Sequence, residues 1–261
     1  MISCLLLIIL GLAYFAWKYP NLRKAWFFPP HKGLVALMYH HIAVLPPTPQ
    51  DQYTFAIAPD LFEKQLLFLQ ENNYTPITVD QVLQSTKPGN SLIQRPVLLT
   101  FDDATQDHYT QLFPLLQKYR VPALIFVITD FVGRPGYMTW DQIRQMQQSG
   151  LVEFGSHTCS HRRLRELSQE EILKELAQSK KIIEANLPGP VRTFCYPFGA
   201  GAFDKKVRPL VFKTGYQLDF STKRGINAWP WNGKTIRRAF PRGGETLWDF
   251  HLQLTRGRSQ L

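Results

Sequence analysis

From Val97 to Phe240 the chain repeats one pattern, a short apolar run suited to a buried strand followed by a stretch with helical spacing. Runs at 97–101, 123–129 and 151–155 lead into helical stretches at Asp107–Tyr119, from Thr139 and from Ser168. A run at 191–196 precedes a helix near Asp204–Lys213, and two more runs follow at 216–221 and 235–240. Ahead of these, 33–39 is another strand candidate, the spacing predicts a helix from Pro59, and a second short helix is expected around 81–84. Strands that alternate with helices lie parallel, because a parallel pair needs a crossover and a helix commonly supplies it. Over this length the pattern points to a closed or nearly closed (β/α) barrel. An open doubly wound sheet is the competing arrangement, yet no glycine-rich phosphate loop follows any of the strands.

Three strand ends carry chemistry. The run Val97-Leu98-Leu99-Thr100-Phe101 stops on Asp102 and Asp103. Side chains alternate along a strand, so one aspartate can hold a metal while its neighbour handles a proton, although the same acids would also suit the first turn of a helix. The second strand end is Gly155-Ser156-His157-Thr158-Cys159-Ser160-His161. Two histidines four apart, with one carboxylate, make a three-ligand site that leaves positions open for water and substrate. Cys159 is expected on the far side of that turn, in a packing role. The third is Arg192-Thr193-Phe194-Cys195-Tyr196-Pro197-Phe198-Gly199, a tight loop whose backbone N–H groups can face a developing oxyanion, with Arg192 able to pair with a carboxylate. With His40 at the end of 33–39, these groups fall at the carboxyl ends of predicted strands, where barrel enzymes carry their chemistry.

The 261 residues carry 30 lysines and arginines against 20 acidic residues, a net charge of +10. These cations are scattered apart from Arg162-Arg163-Leu164-Arg165 and Arg237-Arg238, so no nucleic-acid stripe is formed and no nucleic-acid partner is expected. Cys4, Cys159 and Cys195 make no disulfide framework, and pairing of the last two is left open. Residues 2–17 are apolar except Ser3, and Lys18, Tyr19, Arg23, Lys24 and Trp26 follow. Sixteen helical residues reach about 24 Å against a hydrocarbon core of about 30 Å, a gap that Trp17 and Tyr19 can extend across. With no basic segment before it and no small-x-small cleavage site, an uncleaved anchor is favoured over a signal peptide. The expected organisation is an anchor at 1–19, a linker at 20–33, one domain at 34–255 and a tail at 256–261. The positive-inside rule alone would leave that domain in the cytoplasm.

The order Thr-Phe-Asp-Asp, then Ser-His-Thr-x-Ser-His, then Arg-x-x-x-Tyr-Pro-x-Gly resembles the polysaccharide deacetylases of carbohydrate esterase family four, over about Val35 to Phe250. Tyr39-His40-His41-Ile42, Thr235-Ile236-Arg237-Arg238 and Leu247-Trp248-Asp249-Phe250 look like the exported, membrane-associated subgroup that includes poly-β-1,6-N-acetylglucosamine N-deacetylases. The resemblance implies a distorted, seven-stranded (β/α) barrel. It makes Asp103, His157 and His161 ligands of a divalent metal, Zn²⁺ before Co²⁺ or another ion. It makes Asp102 the base, orients Asp102 with Arg192, and gives the Tyr196 N–H to the oxyanion. His40 would be the general acid with His41 in reserve, since Phe250-His251-Leu252 is a poor match to the family's late Leu-x-His. Ala104 departs from the glycine that usually follows the paired acids.

The implied function is N-deacetylation of an N-acetylglucosamine-containing surface polysaccharide, by a membrane-anchored domain outside the cytoplasm. O-deacetylation and non-catalytic carbohydrate binding are the alternatives. Tyr137, Trp140, Trp229 and Trp231 could stack on sugar rings, although packing is the commoner role for such residues.

Overall fold

The computed structural model describes residues 33–44 and 55–259, apart from single positions 88, 92, 230, 232 and 234. The anchor expected at 1–19 lies outside the described residues. Among the described residues no helix is long and apolar enough to cross a membrane.

Strands β1 (Val35–Tyr39), β4 (Thr75–Pro76), β5 (Pro96–Phe101), β6 (Ala123–Val127), β7 (Val152–Ser156), β8 (Thr193–Cys195) and β9 (Leu218–Phe220) form one sheet. Its order is β1-β5-β6-β7-β8-β9 with β4 beside the start of β5, and every pairing is parallel. A second, two-stranded parallel pair joins β2 (His41–Ile42) to β3 (Ala56–Ile57). The helices are α1 (Pro59–Glu71), α2 (Val79–Ser85), α3 (Phe113–Tyr119), α4 (Trp140–Gln148), α5 (Gln169–Asn186), α6 (Val207–Lys213) and α7 (Leu247–Arg256). The alternation read from the sequence is therefore present as a parallel α/β sheet.

Local chemistry sets several of these boundaries. α4 and α5 open at capping boxes, Thr139 with Gln142 and Ser168 with Glu171, the second being the one legible in the sequence. The helix expected from Asp204 begins at Val207 instead, because Asp204 Oδ1 accepts the N–H groups of Lys206 and Val207 and holds a turn before it. The helix expected from Asp107 starts as a π-helical turn over His108–Leu112, which brings the buried His108 Nε2–H onto the carbonyl of His40.

Alternation along β5 divides the core. Val97, Leu99 and Phe101 face the helices, in one cluster with Phe62, Leu112, Leu116 and Ile143. Leu98 points the other way, with Ala36, Leu124, Phe126, Leu218 and Phe220, and fills the hollow of the curled sheet. Thr100 and Asp102 continue that inward phase. Gly155 on β7 makes room here, since a Cβ would stand 2.3 Å from Thr193 Oγ1 and 2.8 Å from the Phe126 ring.

The run at 235–240, expected as a strand, contributes two isolated parallel bridges, Phe220 to Ile236 and Leu37 to Ala239. It crosses from β9 to β1 and joins the two edges, so too few residues remain beside either strand for a ladder. Arg238 lies on this crossing, and its N–H donates to Lys223 O at 3.0 Å.

Candidate metal and catalytic site

The backbone around the site is contorted. Asp103 and Ala104 have φ of 78° and 56°, and Thr158 and His161 have 69° and 60°. Such conformations cost of order 1–3 kcal/mol each outside glycine and persist where the surroundings impose them. At Ala104 the left-handed turn accounts for the glycine that the family pattern prefers. The loop from His157 to His161 is pinned by Glu175 on α5, whose Oε2 accepts the N–H groups of Cys159 at 2.8 Å and Ser160 at 3.0 Å. Thr158 Oγ1 accepts the His161 N–H at 3.0 Å.

The result is a compact donor set. His157 Nε2 and His161 Nε2 stand 3.5 Å and 3.6 Å from one oxygen, Asp103 Oδ1. That oxygen is buried and has no hydrogen-bond partner among the described residues. His157 Nδ1 lies 2.8 Å from Cys195 O. A carbonyl can only accept, so Nδ1 carries the proton and Nε2 keeps its lone pair for the site. Burial lowers the His157 pKa to about 3 and also lowers that of His161, which keeps both imidazoles neutral as ligands must be. Burial, and then the charge of Asp102, raises the Asp103 pKa to about 7, an unfavourable charge that a cation would offset. Ligands about 2.1 Å from a tetrahedral ion lie about 3.4 Å apart, close to the observed spacing. The residues fit a zinc-like divalent cation, with one carboxylate, two imidazoles and a side left open.

Asp102 faces inward beside this set, held by a residue the sequence reading did not assign to it. Arg238 Nη1 donates to Oδ1 at 2.6 Å and Nη2 to Oδ2 at 2.8 Å, with Nη1 also 3.1 Å from Thr100 Oγ1. Cys195 Sγ accepts from Arg238 Nη2 at 3.1 Å. Burial alone would raise the Asp102 pKa, but Arg238 outweighs it and keeps the carboxyl ionised. The signal for this partner was an arginine inside an otherwise strand-like stretch, Arg238 in 235–240.

Arg192, the expected partner of Asp102, is elsewhere. It precedes β8 and so lies at the opposite end of the sheet, paired with Asp80 and with Glu153 at 3.0 Å. The Tyr196 N–H, expected at the oxyanion, donates to Phe220 O at 3.2 Å because β8 and β9 continue their ladder to that point. Its hydroxyl goes to Asp219 at 3.0 Å. His40 does reach the site, with Nε2 3.8 Å from Asp102 Oδ2 and the ring packed against Phe55. Burial lowers its pKa to about 4, against the opposing pull of Asp102. His41 turns to Asp107, Nδ1 to Oδ1 at 3.1 Å, and His251 stacks on Trp248.

Of the four aromatics considered for sugar stacking, Trp140, Trp229 and Trp231 pack partly buried against the two core clusters. Tyr137 lies edge-on to Phe131. Cys159 and Cys195 are both free and buried.

The sequence profile of the polysaccharide deacetylase family matches residues 89–218. The chain carries a polysaccharide deacetylase domain. Asp102, Asp103, His157 and His161 of this hydrolase-family domain lie inside the match, whereas His40 and Arg238 lie on either side of it. The poly-β-1,6-N-acetyl-D-glucosamine N-deacetylase of Escherichia coli K12 is 31% identical over 144 residues, 49% of this chain and 21% of that protein. The enzyme of the same name from Staphylococcus aureus MSSA476 is 29% identical over 180 residues, 64% of this chain and 61% of that protein. The chain thus spans about a fifth and about three fifths of the lengths of these relatives. Among solved structures, the Streptococcus pyogenes deacetylase PplD in complex with acetate superposes with a TM-score of 0.78 at 26% identity, covering 87% of this chain and 99% of that one.

Proposed function

We propose that the deacetylase domain hydrolyses N-acetyl groups from a polysaccharide containing N-acetylglucosamine, using a divalent cation, zinc first, held by Asp103, His157 and His161. The observation that carries this reading is the unpartnered Asp103 oxygen facing two ligand-ready imidazoles beside an ionised, arginine-held Asp102. Amide hydrolysis needs an activated water, an electrophilic aid at the carbonyl and a proton for the departing amine. A bound cation supplies the first two by lowering the pKa of water and polarising the carbonyl.

The protein supplies the rest. Asp102 remains a carboxylate and accepts the proton of the attacking water, while Arg238 fixes its orientation. His40, neutral in the resting site and 3.8 Å from Asp102 Oδ2, is placed to relay the proton that Asp102 takes from the water on to the departing amine. The names of the Escherichia coli and Staphylococcus aureus relatives support the N-acetylglucosamine polymer. A surface-polysaccharide substrate would place the domain outside the cytoplasm, held by residues 1–19 as an anchor and against the positive-inside expectation, a placement that a reporter fused after residue 261 tests.

The deciding assay is acetate release from N-acetylglucosamine oligomers by the purified chain loaded with Zn²⁺ or Co²⁺. Release that needs the metal and is abolished by Asp102→Asn supports the reading. Release from O-acetylated glycans alone transfers it to O-deacetylation, and no release from any acetylated glycan rejects it.

A further inference from the structure

After β8 the chain exposes Phe198 and Phe203, and α6 exposes Phe212, each with a cation over its ring. Phe198 packs on His161 with ring centres 4.6 Å apart, and the Arg163 guanidinium lies 4.2 Å from the Phe198 centre. Lys223 Nζ is 5.0 Å from the centre of Phe203, and the Arg208 guanidinium is 4.8 Å from that of Phe212. These rings are 53%, 55% and 36% exposed. Phe198 adopts a positive φ of 56°, and Gly199 after it lets the loop pass Thr222, whose Oγ1 would stand 2.2 Å from a Cβ.

Phe203 and Phe212 border a cleft of about 700 Å³ whose other walls include Lys205, Arg208, Lys223 and Arg237. Its charge is one-sided. Asp204 is the one carboxylate in the lining, and its Oδ1 is engaged by the N–H groups of Lys206 and Val207. Arg208 is tied to the buried Asp219 at 2.8 Å and 3.2 Å and to the carbonyl of Gly233 at 2.5 Å. Lys205, Lys223 and Arg237 form no ion pair among the described residues.

We propose that this cleft binds the length of polysaccharide flanking the sugar that is deacetylated, and that the polymer it fits carries anionic groups, carboxylate or phosphodiester, on those flanking units. The inference rests on the deacetylase reading above and names the class of its substrate. Flat aromatic faces offer large contact area to the apolar faces of sugar rings, and unpaired ammonium and guanidinium groups are the partners that carboxylates and phosphates select. Packing does not account for Phe203 and Phe212 bordering an open cleft, and the cleft adjoins the site, because Arg237 precedes Arg238 and Lys223 O accepts the Arg238 N–H. An anionic membrane surface would also draw cations and phenylalanines, but it needs a projecting apolar face that enters the headgroup layer, and here the rings line a hollow under cations.

The test is calorimetric binding to the full-length, zinc-loaded chain, using ligands that contain no acetyl group and so cannot turn over. The probes are an oligogalacturonate for carboxylate, a glycerol-phosphate oligomer for phosphodiester, a neutral oligogalactose of the same length, and phosphatidylglycerol vesicles. At least one anionic oligomer should bind about tenfold more tightly than the neutral one, and Lys223→Gln with Arg237→Gln should remove about that factor while leaving neutral binding and thermal unfolding unchanged. Which anion wins distinguishes carboxylate from phosphodiester. Equal binding of charged and neutral oligomers, no response to the double variant, or charge-dependent binding confined to the vesicles overturns the inference. Because these ligands are inert, loss of charge selectivity overturns the cleft alone, while absent acetate release with selective binding overturns the reaction alone.

Discussion

Both oxygens of Asp102 are held by both terminal nitrogens of Arg238, at 2.6 Å and 2.8 Å, with the two side chains buried inside the curled sheet. Removing one member of a buried pair leaves the other charge uncompensated and costs about 3–5 kcal/mol. Arg238→Gln should lose about that much in denaturant unfolding. Arg238→Lys keeps the charge but not the two-pronged grip, so it should recover part of the stability while turnover stays about 100-fold down, the scale of a misplaced catalytic group. Full activity in the lysine variant would show that orientation of Asp102 is not what Arg238 provides.

Division of labour between the paired acids predicts two different losses. Asp103→Ala and His157→Ala should lose bound metal, whereas Asp102→Asn should keep metal and lose turnover. His40→Ala should lower turnover with metal retained. Elemental analysis beside acetate release separates these outcomes, and equal metal depletion in the Asp102 and Asp103 variants would contradict the assignment.

Glu175 predicts a loss felt at a distance. It touches no ligand atom but accepts two backbone N–H groups of the loop between His157 and His161. Glu175→Ala should weaken zinc affinity by about 10–100-fold, the usual effect of removing support behind a ligand. Zinc competition with a chelating dye measures it.

Ala104 sits at φ 56° with its methyl group buried. Relief of a left-handed alanine is worth about 1–2 kcal/mol, while deleting a buried methyl loses about 0.8 kcal/mol and glycine adds unfolded-chain entropy. These effects nearly cancel, so Ala104→Gly should unfold within about 1 kcal/mol of the natural chain, as read from thermal melts. Ala104→Val places a branched side chain in the same turn and should be clearly destabilised by the same measure.

The His41–Asp107 pair predicts a pH window. The Asp107 hydrogen bond raises the His41 pKa above 6.5, and stability from that shift is present below 6.5 and fades as pH rises through the raised value. Burial opposes ionisation of Asp107, but the His41 and Ile42 hydrogen bonds hold its pKa below 3.8, so its contribution fades as pH falls below that value. The pair should therefore contribute fully between about pH 4 and pH 6.5 and fade above that, by at most about 1 kcal/mol for a partly exposed contact. His41→Gln should flatten the stability profile over that range, as followed by denaturant midpoints at several pH values.

What could be read beforehand was whatever sits in one segment. The apolar run to Asp102, the histidine loop and the capping box at Ser168 each carry their reason within a few residues. Arg238 meets Asp102 across 136 positions, a proximity that only closure of the sheet creates. Arg192 shows the converse, since it stands close to Tyr196 in sequence yet precedes its strand, and the length of β8 carries the two to opposite rims. The Tyr196 N–H serves the sheet because whether a ladder continues one residue past a strand depends on the neighbouring strand. Irregular crossing at 235–240 was likewise hidden, as its composition suits a full strand.

That crossing also orders events in time. During synthesis the segment bearing Arg238 leaves the ribosome well after Asp103, His157 and His161, so on the proposed reading the three ligands of the cation would be in hand while Asp102 still lacked its counter-charge. On that reading hydrolytic competence would switch on late, as the crossing docks between β9 and β1, and metal uptake and catalysis would mature as separate steps.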